Sequence, residues 1–246
     1  MPDIILTGAS RGIGRALALE LGQRAHTRLF LIARDAARLQ EVAARCRDAQ
    51  VMLGDLGSIS SARELGERLA QRVEPGAVLV HNAGIWPARL ELTPDGYERS
   101  YAVNCAGPLA LQAPLLAAGK LARVLVVSAG LIVAGRPDPA RTPQGADFSK
   151  FRSYANSKRA FAEAIRALAP SHPEIDFLVL HPGVVRTDLG ARSGLFGKLI
   201  DRVKRRWESP EVCAARLGRI LQLPRWSSPG QAAWFFEERA ASWPIA

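Results

Sequence analysis

The stretch 7-TGASRGIG-14 contains three glycines and directly follows an apolar run, 3-DIILT-7. A helical pattern begins inside the stretch, so the glycines occupy a turn between a predicted strand and a predicted helix. Gly8 permits the tight turn, Gly12 lets the backbone approach a phosphate, and Gly14 lets the helix pack closely on the strand. Backbone N–H groups and the positive end of the helix would then face a pyrophosphate, which predicts a dinucleotide site. A flexible loop without a ligand is the alternative.

Strand and helix patterns alternate along the rest of the chain. The strand candidates are short and almost continuously apolar, as expected for parallel strands covered on both faces. They span residues 3–7, 28–33, 50–54, 77–81, 122–128 and 175–181, with a weaker seventh at 232–236. The helical patterns span residues 12–24, 35–47, 58–72, 93–117, 151–169 and 209–221. The alternation predicts an α/β fold with a single Rossmann-type doubly wound parallel sheet of about seven strands, helices on both faces and one domain over residues 1–246.

Polar residues and prolines mark where several of these helices are predicted to begin. Asp35, Ser58, Thr93 and Ser209 are the predicted N-caps, because their short side chains can accept hydrogen bonds from the first free N–H groups. A proline follows each of the last two, at the first helical position, where a helix tolerates the missing N–H group.

The composition is ordinary for a globular protein apart from its charge. The 246 residues are 48% hydrophobic and 23% charged, with a formal net charge of +10. The cations are almost all arginines scattered along most helices, so we interpret the charge as a solvated surface and expect no nucleic-acid partner. The three cysteines and four histidines form no CxxC or HExxH pattern. This predicts no metal site and favours a reducing, cytoplasmic location.

Two further features bear on location. The first residues, MPDIILTG, enter a strand pattern at once, so we expect no signal peptide. The longest apolar run, 121-LARVLVVSAGLIVAG-135, is shorter than a membrane span and carries Arg123. We therefore interpret this run as a buried strand followed by a loop.

The end of the second predicted strand indicates the type of dinucleotide. An NAD site usually has an acid there for the ribose 2′-hydroxyl, whereas this chain has Arg34, and Arg11 lies within the glycine turn. Two guanidiniums suit a 2′-phosphate, so NADP(H) is preferred and NAD(H) is the alternative. Asp35 competes for the ribose but equally suits a helix cap. Asp55, followed by Leu56, could accept a hydrogen bond from the adenine amino group or be a surface turn residue.

Several motifs together resemble the short-chain dehydrogenase/reductase family. They are TGASRGIG at 7–14, Asp55-Leu56, 82-NAG-84, 103-VNCAG-107, 154-YANSK-158 and 182-PGVVRT-187. The segment 93-TPDGYERSYAVNCAGPLAL-111 is similar to the retinol-dehydrogenase-type branch. The resemblance implies hydride transfer between NAD(P)(H) and a small-molecule carbonyl or alcohol, and it leaves the substrate open. Homodimers and homotetramers are common in the family, but the atypical C-terminal segment 237-EERAASWPIA-246 leaves the oligomeric state open.

The resemblance further implies which residues would bind the dinucleotide. They are Gly8, Ser10, Arg11, Gly12, Ile13, Gly14, Arg34, Asp55, Leu56, Asn82, Ala83, Gly84, Tyr154, Lys158, Pro182, Gly183, Val185 and Thr187. Within this set, the Val185 backbone and the Thr187 hydroxyl would contact the nicotinamide carboxamide. Asn82 would brace the turn after the fourth strand and take no part in proton transfer.

Tyr154 and Lys158 lie four residues apart, so a helix places them on one face. A surface tyrosine beside a lysine stem is the alternative. In the functional interpretation, the Lys158 ammonium and the positive nicotinamide of the oxidised cofactor lower the Tyr154 pKa from its free value near 10. Tyr154 could then exchange a proton with the substrate near neutral pH. By resemblance, Lys158 would also bind the nicotinamide ribose, and Asn104 would hold a water that links Lys158 to solvent. Asn104 could instead satisfy an irregularity in its helix.

The chain departs from the family at the catalytic serine. The family pattern SSxxxxxxG aligns with 128-SAGLIVAG-135, which places Ala129 at the serine position if the final glycine is the anchor. A shift of the loop by one residue would place Ser128 there instead, and adjacent residues of a strand face opposite sides. Ser128 is the candidate, and Ser153 and Ser157 could compensate for it.

Two segments near these motifs are harder to interpret. Residues 136–151 are rich in Pro, Asp and Ser, and form either a solvent loop or one wall of the substrate pocket. Residues 189–207 carry an apolar stripe flanked by cations, and the resemblance implies that this segment is a lid over the substrate. A peripheral membrane contact and an oligomer contact are the alternatives for this segment. The stripe leads us to expect a lipophilic substrate.

Other classes of function are compatible with the same residues. If Ala129 holds the serine position, the chain could be an NADP-binding sensor or scaffold with little catalysis. Nucleic-acid binding rests on the net charge alone and would show as a steep salt dependence of DNA retention.

Overall fold

The computed structural model describes residues 2–186 and 207–245. Their strands form one sheet, whose members are β1 (Ile4–Thr7), β2 (Leu29–Ala33), β3 (Ala49–Leu53), β4 (Ala77–His81), β5 (Leu121–Val127), β6 (Asp176–His181), β7 (Ala232–Phe236) and β8 (Arg239–Ala241). The order across the sheet is β3-β2-β1-β4-β5-β6-β7-β8. The first seven strands pair in parallel, which confirms the predicted doubly wound sheet.

The sheet has one more strand than the sequence predicts. β8 pairs antiparallel with β7, and its three residues are all exposed. The strand therefore carries no apolar pattern from which it could be predicted. It follows β7 through a tight turn in which Glu237 has a φ of +56.

Helices cover both faces of this sheet. They are α1 (Gly12–Leu21), α2 (Ala36–Ala43), α3 (Ile59–Ala70), the short α4 (Arg99–Tyr101), α5 (Gly107–Ala117), α6 (Lys150–Leu168) and α7 (Pro210–Gln222). A π-helical turn at Ala102–Ala106 joins α4 to α5, and 3₁₀ turns cover Gly130–Ala134 and Ala169–Ser171. In the part of the chain that the structure describes, no helix combines the length and apolar content needed to cross a bilayer.

The strands alternate their side chains between two apolar clusters. Ile5 of β1 packs in the cluster that includes α3, α5 and α6, whereas Ile4 and Leu6 pack in the cluster that includes α1, α2 and α7. All three side chains are buried, as the continuous apolar runs predict. Burial on both faces specifies the strand register, and the register determines which residues reach the carboxyl edge of the sheet.

Three of the predicted N-caps are confirmed. Asp35, Ser58 and Ser209 each accept a hydrogen bond from the backbone N–H group three residues later. Pro210 occupies the first position of α7, as predicted. These caps begin α2, α3 and α7.

The predicted start of a helix at Thr93, with proline at its first position, is wrong. The N–H group of Thr93 donates to the Tyr97 carbonyl at 2.8 Å, which closes a turn over these residues. Within the turn, Gly96 has a φ of +78, a left-handed conformation that a helix cannot continue. The helix begins at Arg99 instead, and the Glu98 carboxylate caps it by accepting hydrogen bonds from the N–H groups of Ser100 and Tyr101.

The strand order reverses direction at the boundary between β1 and β4. The strands before this point lie on one side of β1, and the later strands lie on the other. In doubly wound sheets, ligands bind outside the carboxyl ends of the strands at such a switch point. This rule directs attention to the turns after β1 and β4.

Candidate active site

A cleft of about 630 Å³ lies beside the switch point and is lined by α6 and by the turns that follow β1 to β6. The lining includes most of the predicted site residues, namely Gly8, Ser10, Arg11, Gly12, Ile13, Arg34, Asp55, Leu56, Asn82, Ala83, Gly84, Ser128, Tyr154, Lys158, Pro182, Gly183 and Val185. Gly14 and Asn104 contribute nothing to the lining, and Thr187 lies outside the described residues.

The glycine turn is pressed against the turn that follows β4. Gly8 has a φ of +71, and a Cβ atom there would lie 2.8 Å from the Ala83 Cα atom. A Cβ atom on Gly14 would lie 2.2 Å from the Gly8 carbonyl oxygen and 2.4 Å from the Asn82 amide nitrogen. Real Cβ atoms do not approach other atoms so closely, so both positions require glycine in this arrangement. Gly12 also has a positive φ, of +54.

The N-terminus of α1 lacks a side-chain cap. Arg11 is the N-cap residue, and its side chain makes no capping hydrogen bond. No acidic residue lies in the first turn of this helix. By contrast, side-chain oxygens cap α2, α3, α6 and α7. Since Gly12 and Ile13 line the cleft, the first turn of α1 can offer its N–H groups and its positive dipole to an anion there.

Basic side chains gather where β2 ends. Arg34 lies 3.8 Å from the Asp55 carboxylate, and Arg38 lies 3.3 Å from the Asp35 carboxylate. Asp35 also caps α2, and Asp55 accepts a hydrogen bond from a backbone N–H group of its own turn. Asp35 is therefore a helix cap and Asp55 a turn residue, the alternatives to ribose and adenine binding that the sequence left open. Arg38 was missed from the sequence, although it lies four residues after Arg34 at the start of the helix.

Tyr154 and Lys158 lie on the buried face of α6 and both line the cleft. The Lys158 ammonium donates to the Val127 carbonyl at 3.0 Å, and burial lowers its pKa to about 8. Lys158 does not by itself produce the expected lowering of the Tyr154 pKa. Burial of the phenol, which is 4% exposed, instead raises its pKa to about 12 because burial disfavours the phenolate.

Asn104 lies in the π-helical turn and joins three parts of the site. Its Oδ1 atom accepts from the Ile85 N–H group at 2.9 Å, and its Nδ2 atom donates to the Ile85 carbonyl and to the Ser157 hydroxyl, both at 3.0 Å. A Cβ atom on Gly84 would lie 3.2 Å from the Lys158 ammonium and 3.4 Å from Asn104 Oδ1. The Asn104 amide therefore forms hydrogen bonds from within the π-helical turn, and it also lies near Lys158.

Residues 3–195 match the family model described as short chain dehydrogenase. The chain belongs to the short-chain dehydrogenase family. Retinol dehydrogenase 14 of Mus musculus is 33% identical over 208 residues, which cover 76% of this chain and 62% of that protein. Retinol dehydrogenase 12 of Homo sapiens is 30% identical over 233 residues, which cover 89% of this chain and 71% of that protein. The predicted resemblance to the retinol-dehydrogenase-type branch is confirmed, although the chain spans less than two thirds of the mouse relative.

Solved structures share the fold. A short-chain dehydrogenase/reductase from Serratia marcescens, a double mutant, has a TM-score of 0.73 at 19% identity, over 96% of this chain and 97% of that chain. A short-chain dehydrogenase from Burkholderia cenocepacia, solved in complex with NADP, has a TM-score of 0.71 at 23% identity, over 95% of this chain and 96% of that chain. At these identities, the likeness concerns the fold alone.

Both candidates for the family's serine position, Ser128 and Ala129, line the cleft. Ser128 is buried, and its hydroxyl has no hydrogen-bond partner among the described residues. The two serines that could compensate are engaged elsewhere. The Ser157 hydroxyl donates to the Tyr154 carbonyl at 2.9 Å, and the Ser153 hydroxyl accepts from a backbone N–H group at 3.2 Å. Ser128 therefore carries a hydroxyl that no group of the described residues pairs with.

Trp86 covers the Tyr154 ring and was missed from the sequence. The two rings are stacked, with centroids 4.6 Å apart and an interplanar angle of 14°. The indole N–H group donates to the Lys150 carbonyl at 2.7 Å, and Phe151 makes an edge contact with the indole at 5.2 Å. The only signal in the sequence was the position of Trp86, two residues after the NAG motif. The stack covers one face of the Tyr154 ring, although Trp86 itself does not line the cleft.

His181 ends β6 and also lines the cleft, although the sequence did not single it out. Its Nδ1 atom accepts a hydrogen bond from the Gly130 N–H group at 3.1 Å, so the neutral ring carries its proton on Nε2. Burial lowers the pKa of His181, which keeps the ring neutral at pH 7. The turn that follows brings Val185 into the lining. The predicted lid, 189–207, lies outside the described residues except for Trp207.

The loop between the serine strand and Tyr154 is tied to α6. Asn156 accepts a hydrogen bond from the Arg136 N–H group at 2.7 Å and donates to the Asp147 carboxylate at 3.0 Å. Thr142 donates to the same carboxylate at 2.8 Å. Among the described residues that line the cleft, none comes from positions 136–149. The described part of the loop thus lies outside the cleft wall. Lys150 and Phe151, which follow it, both contact Trp86.

The buried ammonium leads to a prediction about stability. We expect Lys158→Met to raise the free energy of unfolding at pH 7, because burial of the charge lowers the Lys158 pKa from 10.5 to about 8. The folded state therefore carries a penalty that is complete below pH 8 and vanishes as the pH rises through 10.5. The gain is at most roughly 3 kcal/mol. Urea unfolding at pH 7 and at pH 10 measures it, and the gain should shrink at pH 10.

Lys120→Met is the matched control, because Lys120 does not line the cleft. Its stability should equal that of the parent within roughly 0.5 kcal/mol at both pH values. If Lys158→Met were less stable than the parent at pH 7, the prediction would be wrong.

Proposed function

We propose that the protein is an oxidoreductase that transfers a hydride between NADP(H) and a carbonyl or alcohol substrate. The observation that carries this proposal is that the glycine turn, the uncapped start of α1 and the pair Tyr154 and Lys158 all line one cleft. The first two features suit a dinucleotide pyrophosphate, and the pair suits proton transfer to oxygen. Membership of the short-chain dehydrogenase family supports the same type of reaction.

The charges near the end of β2 favour NADP(H) over NAD(H). Arg34 and Arg38 have side chains that are 52% and 60% exposed, so their ion pairs with Asp55 and Asp35 can open at little cost. The freed guanidiniums would bind the 2′-phosphate through paired hydrogen bonds. The Burkholderia neighbour was solved with NADP, and a carbonyl reductase from chicken fatty liver was solved with NADPH. These structures support the preference by analogy.

The proposed chemistry assigns a proton-transfer step to Tyr154. When bound, the nicotinamide would supply or accept the hydride at its C4 atom. Tyr154 keeps its proton at neutral pH, because burial raises its pKa to about 12, so it would act as the acid that protonates the carbonyl oxygen during reduction. Lys158, with a pKa of about 8, can gain or lose a proton near neutral pH and would return the proton to Tyr154. Ser128 would donate a hydrogen bond to the same carbonyl oxygen.

Trp86 and Phe151 lie beside Tyr154 and favour a lipophilic substrate. Trp86 is fixed by its hydrogen bond to Lys150, and Phe151, which is 59% exposed, makes an edge contact with the indole. Aromatic faces of this kind contribute apolar contact area without a polar requirement. A preference for small polar carbonyls would contradict this part of the proposal.

Location and assembly are further parts of the proposal. All three cysteines are free, which suits a reducing compartment such as the cytoplasm. The homodimer or homotetramer is proposed by analogy with the family.

A second candidate function is an NADP-binding sensor or scaffold with little catalysis. The observation that favours it is Ala129, which lines the cleft at the position where the family pattern puts its serine. Tight binding of NADPH without oxidation of the nicotinamide across a broad carbonyl panel would favour this candidate.

We expect Arg34→Ala to weaken NADPH binding about 10- to 100-fold and to leave NADH binding unchanged, because only NADPH carries the 2′-phosphate. Parallel fluorescence titrations with the two nucleotides measure the effect. Arg47→Ala, an exposed arginine that does not line the cleft, is the control and should bind both nucleotides as the parent does. Equal affinity of the parent for NADPH and NADH would contradict the preference.

Tyr154→Phe should abolish carbonyl reduction while leaving NADPH affinity within about twofold of the parent, because the ring and its stack remain and only the proton donor is lost. Turnover is followed by NADPH oxidation with a panel of carbonyls. Tyr97→Phe, a tyrosine that does not line the cleft, should retain full turnover. An active Tyr154→Phe variant would refute the mechanism.

Ser128→Ala should lower kcat about 100-fold with little change in NADPH affinity, because it removes a hydrogen-bond donor to the substrate oxygen. Ala129→Ser is the matched variant, and it tests the other alignment of the serine position. We expect it to leave kcat within a few-fold of the parent. A normal kcat in Ser128→Ala, together with a large gain in Ala129→Ser, would transfer the role to position 129.

A further inference from the structure

Arg216 is a buried arginine of α7 that contacts the turn after β6. Its Nη1 atom donates to the Pro182 carbonyl at 2.8 Å, and its Nη2 atom pairs with the Glu208 carboxylate. The residue is 8% exposed and lies in the middle of the helix. It does not line the cleft, whereas Pro182 does. A guanidinium holds two acceptors in a fixed geometry, which the single point charge of a lysine does not.

Glu208, the carboxylate partner, is also bound to that turn through its backbone. Its N–H group donates to the Val184 carbonyl at 3.2 Å, and its carbonyl accepts from the Arg186 N–H group at 2.9 Å. These two bonds form a parallel bridge between Val185 and Glu208. One guanidinium therefore fastens the start of the turn at Pro182 and, through Glu208, its end.

The turn has little room to move against this anchor. Gly183 has a φ of +87, and a Cβ atom there would lie 2.9 Å from the Glu237 carboxylate and 3.3 Å from the Arg216 guanidinium. The N–H group of Glu237 in turn donates to the His181 carbonyl at 2.8 Å. The backbone of the turn is thus packed between α7 and the end of β7.

We propose that Arg216 is a positioning residue for the nicotinamide half of the cofactor. It would act by holding the backbone from Pro182 to Val185 at the place where it lines the cleft. The inference rests on the proposed function, because it assumes that the nicotinamide binds at this end of the cleft. The adenosine half would bind at the other end, beside Arg34 and the glycine turn, which Arg216 does not contact.

This separation distinguishes positioning from a general contribution to stability. Loss of the guanidinium fork should displace the turn and weaken contacts to the nicotinamide, and a small displacement is costly where the reacting atoms must be aligned. Contacts to the 2′-phosphate and the adenosine should be unaffected. A purely structural role would change the two halves of the cofactor alike or change neither.

The test compares two ligands on the full chain, NADPH and 2′-phospho-ADP-ribose, which lacks the nicotinamide. We expect Arg216→Lys to weaken NADPH about tenfold and to leave 2′-phospho-ADP-ribose within about twofold of the parent. Calorimetric titration gives both dissociation constants, and kcat for NADPH oxidation should fall with the NADPH affinity. Circular dichroism and thermal melts establish that the variant is folded.

Glu208→Gln is a second variant that keeps the side-chain shape and removes the charge, so the test stands even if Arg216→Lys folds poorly. It should show the same separation between the two ligands to a smaller degree. Arg219→Lys is the matched control, because Arg219 lies on the same helix and pairs with Glu238 at the surface. It should change neither dissociation constant.

Equal weakening of both ligands, or no weakening of either, would overturn the inference and leave the proposed function intact. A parent protein that binds neither ligand would overturn the proposed function, and the inference with it. The two failures are therefore distinguishable.

Discussion

A set of hydrogen bonds between the ends of β1 and β4 holds the whole site together. The Thr7 hydroxyl accepts from the N–H groups of Asn82 and Ala83, at 3.0 and 3.1 Å, and the Asn82 amide donates to the carbonyls of Thr7 and Gly8, at 3.0 and 3.3 Å. These bonds keep the two turns at the switch point in contact. The contact excludes side chains at Gly14, and it places the start of α1 against the cleft. The glycine turn and its contact with the turn after β4 are therefore built largely from backbone groups.

The other end of the cleft is built from buried side chains, and it opposes stability. The Lys158 ammonium and the Tyr154 phenol are both removed from water. Burial lowers the pKa of Lys158 and raises the pKa of Tyr154, because it favours the neutral form of each group. At neutral pH the buried Lys158 charge lowers the stability of the folded state, whereas Tyr154 is neutral in both the folded and the unfolded state. The apolar stack with Trp86 adds to the burial of the phenol. This burial keeps a proton on Tyr154 at neutral pH.

Local patterns predicted the parallel sheet and the residues of its turns, because an apolar strand followed by glycines is recognisable from a few consecutive residues. Features that depend on distant contacts could not be predicted in this way. Trp86 reaches Tyr154 only in the folded chain, and the burial that reverses the expected shift of the Tyr154 pKa has no pattern of its own. Near Thr93 two local signals conflict. Thr93 and the proline after it predict the start of a helix, whereas Gly96 favours a turn, and the structure forms the turn.

The state of Ser128 bears on whether the cleft is a reaction site or a binding site alone. Among the described side chains with an unpaired buried polar atom, Ser128 alone lines the cleft. Leaving such a hydroxyl without a partner costs roughly 1–3 kcal/mol. Ser157 avoids this cost, because its hydroxyl donates to the Tyr154 carbonyl and accepts from Asn104. A ligand in the cleft that pairs with this hydroxyl would offset the cost. Under the proposed function, the substrate oxygen that receives the proton of Tyr154 would be such a partner.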